Sequence, residues 1–248
     1  MAPLLRAELL RVVSGRSLAT LAVVAFALNC LAILGNAAPT IAKLDAGSAS
    51  LATVSHDLLR LGFGTLLFAT LFGAILTTSE FRHGSIGRSL FIARRLERLM
   101  AAKSVAAVAG GALFGLLGAG SAVATTAVYL SARGQHLVLD QESILIVIGV
   151  FAVCVLSSLW GMLIGWIVRA QMPTLIGIMA WTLIAESAVV SLAPGVGRFL
   201  PGGAQASIYR DFANGDPVAT PYGYLLFAAW IGLAAFGSVA LVRRRDLA

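Results

Sequence analysis

Charge is scarce in this sequence: Asp, Glu, Lys and Arg together make up 12% of its 248 residues, where soluble domains carry about a quarter. With 59% of residues hydrophobic and a mean hydropathy of +0.92, a water-soluble fold is effectively excluded. Cysteine is nearly missing too. Cys30 and Cys154 both sit inside apolar runs, where a free thiol behaves as a small core hydrophobe, so no disulfide framework or metal site follows. Lysine occurs only at 43 and 103 among 18 cationic residues, a bias that suits a high-GC bacterial gene. The three histidines, His56, His83 and His136, are far apart, which argues against a shared metal site. No GxxxxGK[ST] loop cradles a nucleotide, and no GxSxG or HExxH signature marks a hydrolase. The chain is therefore not expected to be an enzyme or to bind a cofactor itself.

What is present is a series of long apolar runs. A helix needs about 20 mostly apolar residues to cross a hydrocarbon core of about 30 Å, and only a helix or a closed barrel satisfies its backbone there. Six segments meet that test, at 17–36, 60–79, 104–130, 144–168, 173–193 and 222–242. The expected fold is all-α: a polytopic membrane protein with six transmembrane helices, forming one domain over 1–248. No fixed-period repeat or linker divides it.

The formal net charge of +7 would suggest nucleic acid in a soluble protein, but these cations collect at the ends of apolar runs and so report topology. With the N-terminus in the cytoplasm, Arg6, Arg11, Arg16, Arg82, Arg88, Arg94, Arg95, Arg98, Lys103, Arg169 and Arg243 to Arg245 lie inside. Lys43, Arg60, Arg133, Arg198 and Arg210 remain outside among six acids. The positive-inside rule favours this orientation, both termini cytoplasmic. No nucleic-acid partner is implied.

Three non-spanning pieces carry information. In Pro3 to Val13, Leu5, Leu9 and Val12 share a helical face against Arg6 and Arg11, the pattern of an interface helix; Glu8 on it could brace the neighbouring loop. In the loop 80–103, Ile86, Leu90 and Phe91 alternate with Arg88, Arg94, Arg95 and Arg98, which predicts a short amphipathic helix. The segment 194–221 mixes Pro201, Gly202 and Gly203 with the helix-compatible stretch Ala204 to Phe212. It is too apolar for a simple loop and is expected to form short re-entrant helices. Glycines at 111, 115, 118, 161 and 165 allow close helix approach, read as ordinary packing within the chain. Glu186 is the only charged residue well within a predicted span, about 20 Å from Pro173 along a helix, and so a candidate for a polar pathway or for a structural hydrogen bond.

The loop is the most specific part. Glu80, Phe81, Arg82, Gly84, Ser85 and Ile86 form an E-F-R-x-G-S-I run, followed by Arg94, Arg95, Arg98, Ala102 and Lys103. In this the chain resembles the membrane subunit of type 2 ATP-binding-cassette (ABC) exporters. RAELLR near the N-terminus, Leu200 to Gly203 and the closing RRRD at Arg243 to Asp246 agree in order. One departure is that many relatives carry a proline shortly before the second arginine run, where this chain has Ile92 and Ala93, so the bend of the loop stays open. The resemblance implies a permease subunit in a bacterial cytoplasmic membrane, paired with a second permease subunit as homo- or heterodimer. Two separate ATPase subunits would hold ATP and Mg. It implies a coupling helix using Glu80, Phe81, Arg82, Gly84, Ser85, Ile86 and Arg88, with Ile86 and Leu90 as apolar anchors. It also implies a pathway lined by the second and fifth spans, which makes Phe63, Phe68, Phe72, Met179 and Glu186 candidates; such a Phe-rich, weakly charged lining suits a hydrophobic or amphipathic cargo better than a small anion. The alternative from another class is a non-transporting membrane sensor or assembly subunit held by a partner.

Overall fold

The computed structural model describes residues 2–211 and 218–244. Arg245 and Asp246 of the closing run, Phe212 and Asp216 lie outside the described residues, as do the side chains of Arg11, Arg243 and Arg244. Among the described residues there is no strand. The chain runs α1 (Ala2–Ser14), α2 (Arg16–Asp45), α3 (Leu51–Arg60), a 3-10 turn (Leu61–Thr65), α4 (Leu66–Arg82), α5 (Ile86–Ala93) and α6 (Leu96–Ser131). It continues with α7 (Gln141–Val168), α8 (Gln171–Ala180), a π-helical turn (Trp181–Ala185), α9 (Glu186–Leu192), α10 (Pro194–Gly197), α11 (Pro201–Ile208) and α12 (Thr220–Arg244).

Among the described residues, six helical stretches are long and apolar enough to cross a membrane: Arg16–Asp45, Leu51–Arg82, Leu96–Ser131, Gln141–Val168, Gln171–Leu192 and Thr220–Val242. Several outrun the apolar segments of the sequence, because backbone hydrogen bonds continue a helix past the point where hydropathy falls. The second joins α3 to α4 through the 3-10 turn, and the fifth joins α8 to α9 through the π turn.

The second, third and fourth stretches make the packed centre. In lipid, burying Leu gains little over leaving it among acyl chains, so helices associate by close van der Waals fit and small residues. The crossing of α4 with α7 shows this. A Cβ on Gly73 would strike the Ser158 carbonyl, and one on Gly161 the Thr70 carbonyl. Phe72 and Phe114, 5.8 Å between ring centroids, fill the space beside Gly110. The remaining spans are peripheral. Helix α2 buries one stripe, Ala25, Asn29, Ile33, Ala37 and Ile41, spaced four apart, and leaves Val23, Phe26, Leu31 and Leu34 exposed.

The two ends of the bundle differ. At one end α1 and α5 pack against α6. At the other, α3 meets α6 and α7, and charged side chains join three segments. His56 Nε2 lies 2.8 Å from Asp140 Oδ1, Arg60 donates to Asp57 Oδ1 at 2.7 Å, and Arg210 Nε donates to Glu142 Oε1 at 2.6 Å. Asp140 also caps α7 by accepting from the Ser143 N–H. Short helix α11 lies along the middle of α7, where Gln205 donates to Ser157 Oγ at 3.1 Å and a Cβ on Gly149 would meet the Ile208 carbonyl.

Candidate functional site

At the α5 end, three helices converge on one ammonium group. Lys103 of α6 is fully buried; its Nζ donates to Glu80 Oε1 of α4 at 2.8 Å and to Glu8 Oε2 of α1 at 3.2 Å. Both carboxylates are buried as well. Small neighbours on the same helix, Ala102, Ala106 and Ala107, are buried with it and leave room for the long side chain. Buried charges persist only when paired and hydrogen-bonded. This group therefore fixes α1 and α4 against α6.

Glu80 does not face out from the loop, as a direct partner contact would need. Its helix continues to Arg82, so the side chain at 80 still turns with the packed face of α4. After it, Gly84 adopts φ 62, a left-handed turn that glycine takes without Cβ strain. The Ser85 N–H bonds back to the Glu80 carbonyl at 2.9 Å. Helix α5 then presents two faces. Ile86, Ser89 and Ala93 turn inward, while Arg88 is exposed, Phe91 is 87% exposed and Ile92 64% exposed. Ile86, expected as an outward apolar anchor, is 9% exposed and belongs to the core, and Leu90 is half-buried. The face period of 3.6 residues puts Phe91 and Ile92 outward once Ile86 points in. The bend that a proline would make is made by Arg94, at φ 61, followed by extended Arg95.

The last turn of α4 is tied to the other spans. Phe81 meets Trp166 of α7 edge-on at 5.6 Å, and the Arg169 guanidinium sits 5.9 Å over the Phe81 ring. Arg169 also donates to the Leu241 carbonyl of α12 at 3.2 Å, and Arg82 donates to Gln171 of α8 at 3.3 Å. Arg6 on α1 is exposed.

The pathway candidates are not all brought together. Phe72 is buried against Phe114, Phe68 packs half-buried against the core, and Met179 is exposed on α8. Phe63 and Glu186 do share a site, a cavity of about 530 Å³ near the α3 end, which Tyr209, Gln205, Arg198 and Asp211 also line. Phe63 stacks on Tyr209 at 5.0 Å with ring planes 2° apart. Glu186 is 6% exposed and follows the π turn, a helical irregularity often found at functional sites. Its Oε1 accepts from the Gly202 N–H in the first turn of α11. A Cβ at 202 would come within 2.7 Å of that carboxylate, so any larger residue there must displace the Glu186 side chain. Burial first, then the nearby negative charges of Asp211 and Glu186, pushes Tyr209 above the usual phenol range, so its hydroxyl stays protonated at neutral pH.

Sequence reasoning missed the buried role of Lys103, the outward Phe91 and Ile92, and the Tyr209 wall. The signal for Lys103 was its chemistry. In a chain that uses arginine almost everywhere, a compact ammonium stands where two carboxylates must be met from one point, a task unsuited to a planar guanidinium fork. No family model matches the chain, and a comparison with curated proteins finds no match either.

Proposed function

We propose that this chain is the permease subunit of an ABC exporter. It carries the pathway for a hydrophobic or amphipathic cargo through a bacterial cytoplasmic membrane, and partner subunits hydrolyse ATP. The observation that carries the reading is α5: a short helix with an exposed Arg88, Phe91 and Ile92 face, packed against α6 and following α4 by a short turn, the two helices that carry the buried Lys103 and Glu80. An exposed aromatic anchor flanked by an arginine is the composition of an interface centre. A rigid base beneath it lets a push on α5 reach α4 without being absorbed by side-chain rearrangement.

In this reading the α5 end faces the cytoplasm, as the positive-inside rule requires, and α1 lies at the membrane surface. Helices α10 and α11 dip into the outer leaflet, α11 covered by α7 and α12 and α10 packed on α9, as irregular backbone at that depth must be. Two ATPase subunits with bound ATP and Mg would each seat one α5, and a second permease subunit would complete the pathway. Their closure would drive α5 and with it α4. The ties of Phe81 and Arg82 to α7, α8 and α12 would spread that motion to the remaining spans. Glu80 then acts from inside as a positioning residue, and the contact to the partner falls to Arg88, Phe91 and Ile92.

The test is capture. The tagged chain is purified from its native membrane in mild detergent, and the ATPase that copurifies is identified and assayed. An ABC ATPase whose turnover rises in the complex supports the reading. A partner with no nucleotide-binding motif would favour the sensor or assembly class.

A further inference from the structure

We propose that the cavity between α9, α11 and the 3-10 turn binds a lipophilic organic cation, with Glu186 as its counter-charge and the stacked Phe63 and Tyr209 rings as its wall. Three observations converge on it. The first is charge balance. Elsewhere in the structure buried and half-buried acids have cationic partners: Glu8 and Glu80 share Lys103, and Glu142 takes Arg210. Glu186 is more than nine-tenths buried, yet its carboxylate has one hydrogen bond, from the Gly202 N–H. Arg198, the cation among the described cavity-lining residues, is exposed and lies 4.9 Å over the Phe199 ring, making no ion pair with Glu186. An acid in such a place stands ready for a charge brought by a ligand.

The second is shape and surface. About 530 Å³ falls in the range of about 300–1,000 Å³ typical of small-molecule sites. The lining is mainly apolar with convergent polar groups: Thr182, Ser187, Ser191 and Gln205 besides Glu186. The third is the aromatic pair. Phe63 and Tyr209, stacked on each other, line the same cavity as the carboxylate, and an aromatic lining suits a delocalised or quaternary cation better than a small hydrated ion. Binding is a property of this chain alone; only its assignment as cargo rests on the export reading.

The experiment uses the full chain in phosphatidylcholine nanodiscs without any ATPase. Tetraphenylphosphonium is the probe, measured by equilibrium dialysis against empty discs. Its neutral counterpart is triphenylphosphine oxide. Saturable binding near one equivalent per chain is expected, weakened about tenfold or more in Glu186→Gln, with no effective competition from the neutral compound. The glutamine side chain keeps an amide oxygen for the Gly202 N–H, so the fold is expected to survive. If that variant fails to fold, Ser191→Phe, which fills the cavity from an exposed position, must abolish binding instead. Unsaturable uptake, equal competition by the neutral compound, or full affinity in either folded variant overturns the proposal. Because no ATPase is present, none of these results bears on the export reading, and failure to capture an ATPase leaves the binding result standing.

Discussion

Lys103 Nζ lies 2.8 Å from Glu80 Oε1, with both side chains closed off from solvent and Glu8 completing the group at 3.2 Å from the same nitrogen. One ammonium thus joins α1, α4 and α6. Its removal takes from two buried carboxylates the cation they share. Lys103→Met is expected to cost about 3–5 kcal/mol, the range for breaking a buried ion pair by deleting one partner. Adding Glu80→Gln and Glu8→Gln to the same chain should recover part of that loss, since the two acids that Lys103 serves are then neutral. Thermal unfolding of the parent, the single variant and the triple variant in one detergent checks both halves.

The outward face of α5 makes a prediction of another kind. Phe91→Asp and Arg88→Glu touch exposed side chains, so the unfolding midpoint should move little, as for surface substitutions generally. On the proposed export reading, transport and stimulated ATP turnover in the complex should fall by about tenfold or more, as expected for an interface anchor. Glu80→Gln should instead alter the unfolding midpoint together with coupling. A Phe91→Asp variant with full coupling would remove the case for α5 as the handle.

At the crossing of α4 and α7, Gly73→Ala and Gly161→Ala each push a methyl group into a backbone carbonyl of the facing helix. A backbone atom cannot rotate away, so each should destabilise by about 1–3 kcal/mol, the usual cost of overpacking. Gly120→Ala is the control: nothing lies within 4 Å of its added methyl, and the better helix propensity of alanine should be neutral or stabilising. Thermal aggregation in detergent ranks the three.

The opposite end supplies a pH dependence. The Ser143 N–H and His56 hold the Asp140 carboxyl down at about 2, against an ordinary value of 3.8. The folded pKa is the lower one, so ionised Asp140 stabilises the fold fully above about pH 4, and this contribution is lost as pH falls towards 2. Asp140→Asn should therefore lower the melting temperature at pH 6 relative to the parent, and the gap should close as pH approaches 2. A constant gap across that range would mean that the charge of Asp140 is not what matters.

The fold was legible where a one-dimensional rule applies. Apolar runs such as 144–168 and 222–242 matched helices Gln141–Val168 and Thr220–Arg244, because a helix hydrogen-bonds within itself and its length is set locally. The loop helix was legible in the alternation of Ile86, Leu90 and Phe91 with arginines. Which of those apolar residues faced out was not. Periodicity defines a face up to a rotation, and only the packing of Ile86 against the core chose it.

The sequence by itself determined that the chain is helical, that it carries six stretches able to span a membrane, and that Glu80 and Glu186 are unusual acids. Tertiary structure alone decided what those acids meet. Glu80 is separated from Lys103 by 23 residues and from Glu8 by 72, and Glu186 is 16 residues from the Gly202 N–H it accepts from. A charge buried in a low-dielectric interior is tolerated only beside a partner held at about 3 Å, and such a distance between separate helices is set by how they pack. Packing therefore made one acid a brace paired with Lys103 and set the other at a cavity, hydrogen-bonded to the Gly202 N–H and with no ion pair to Arg198.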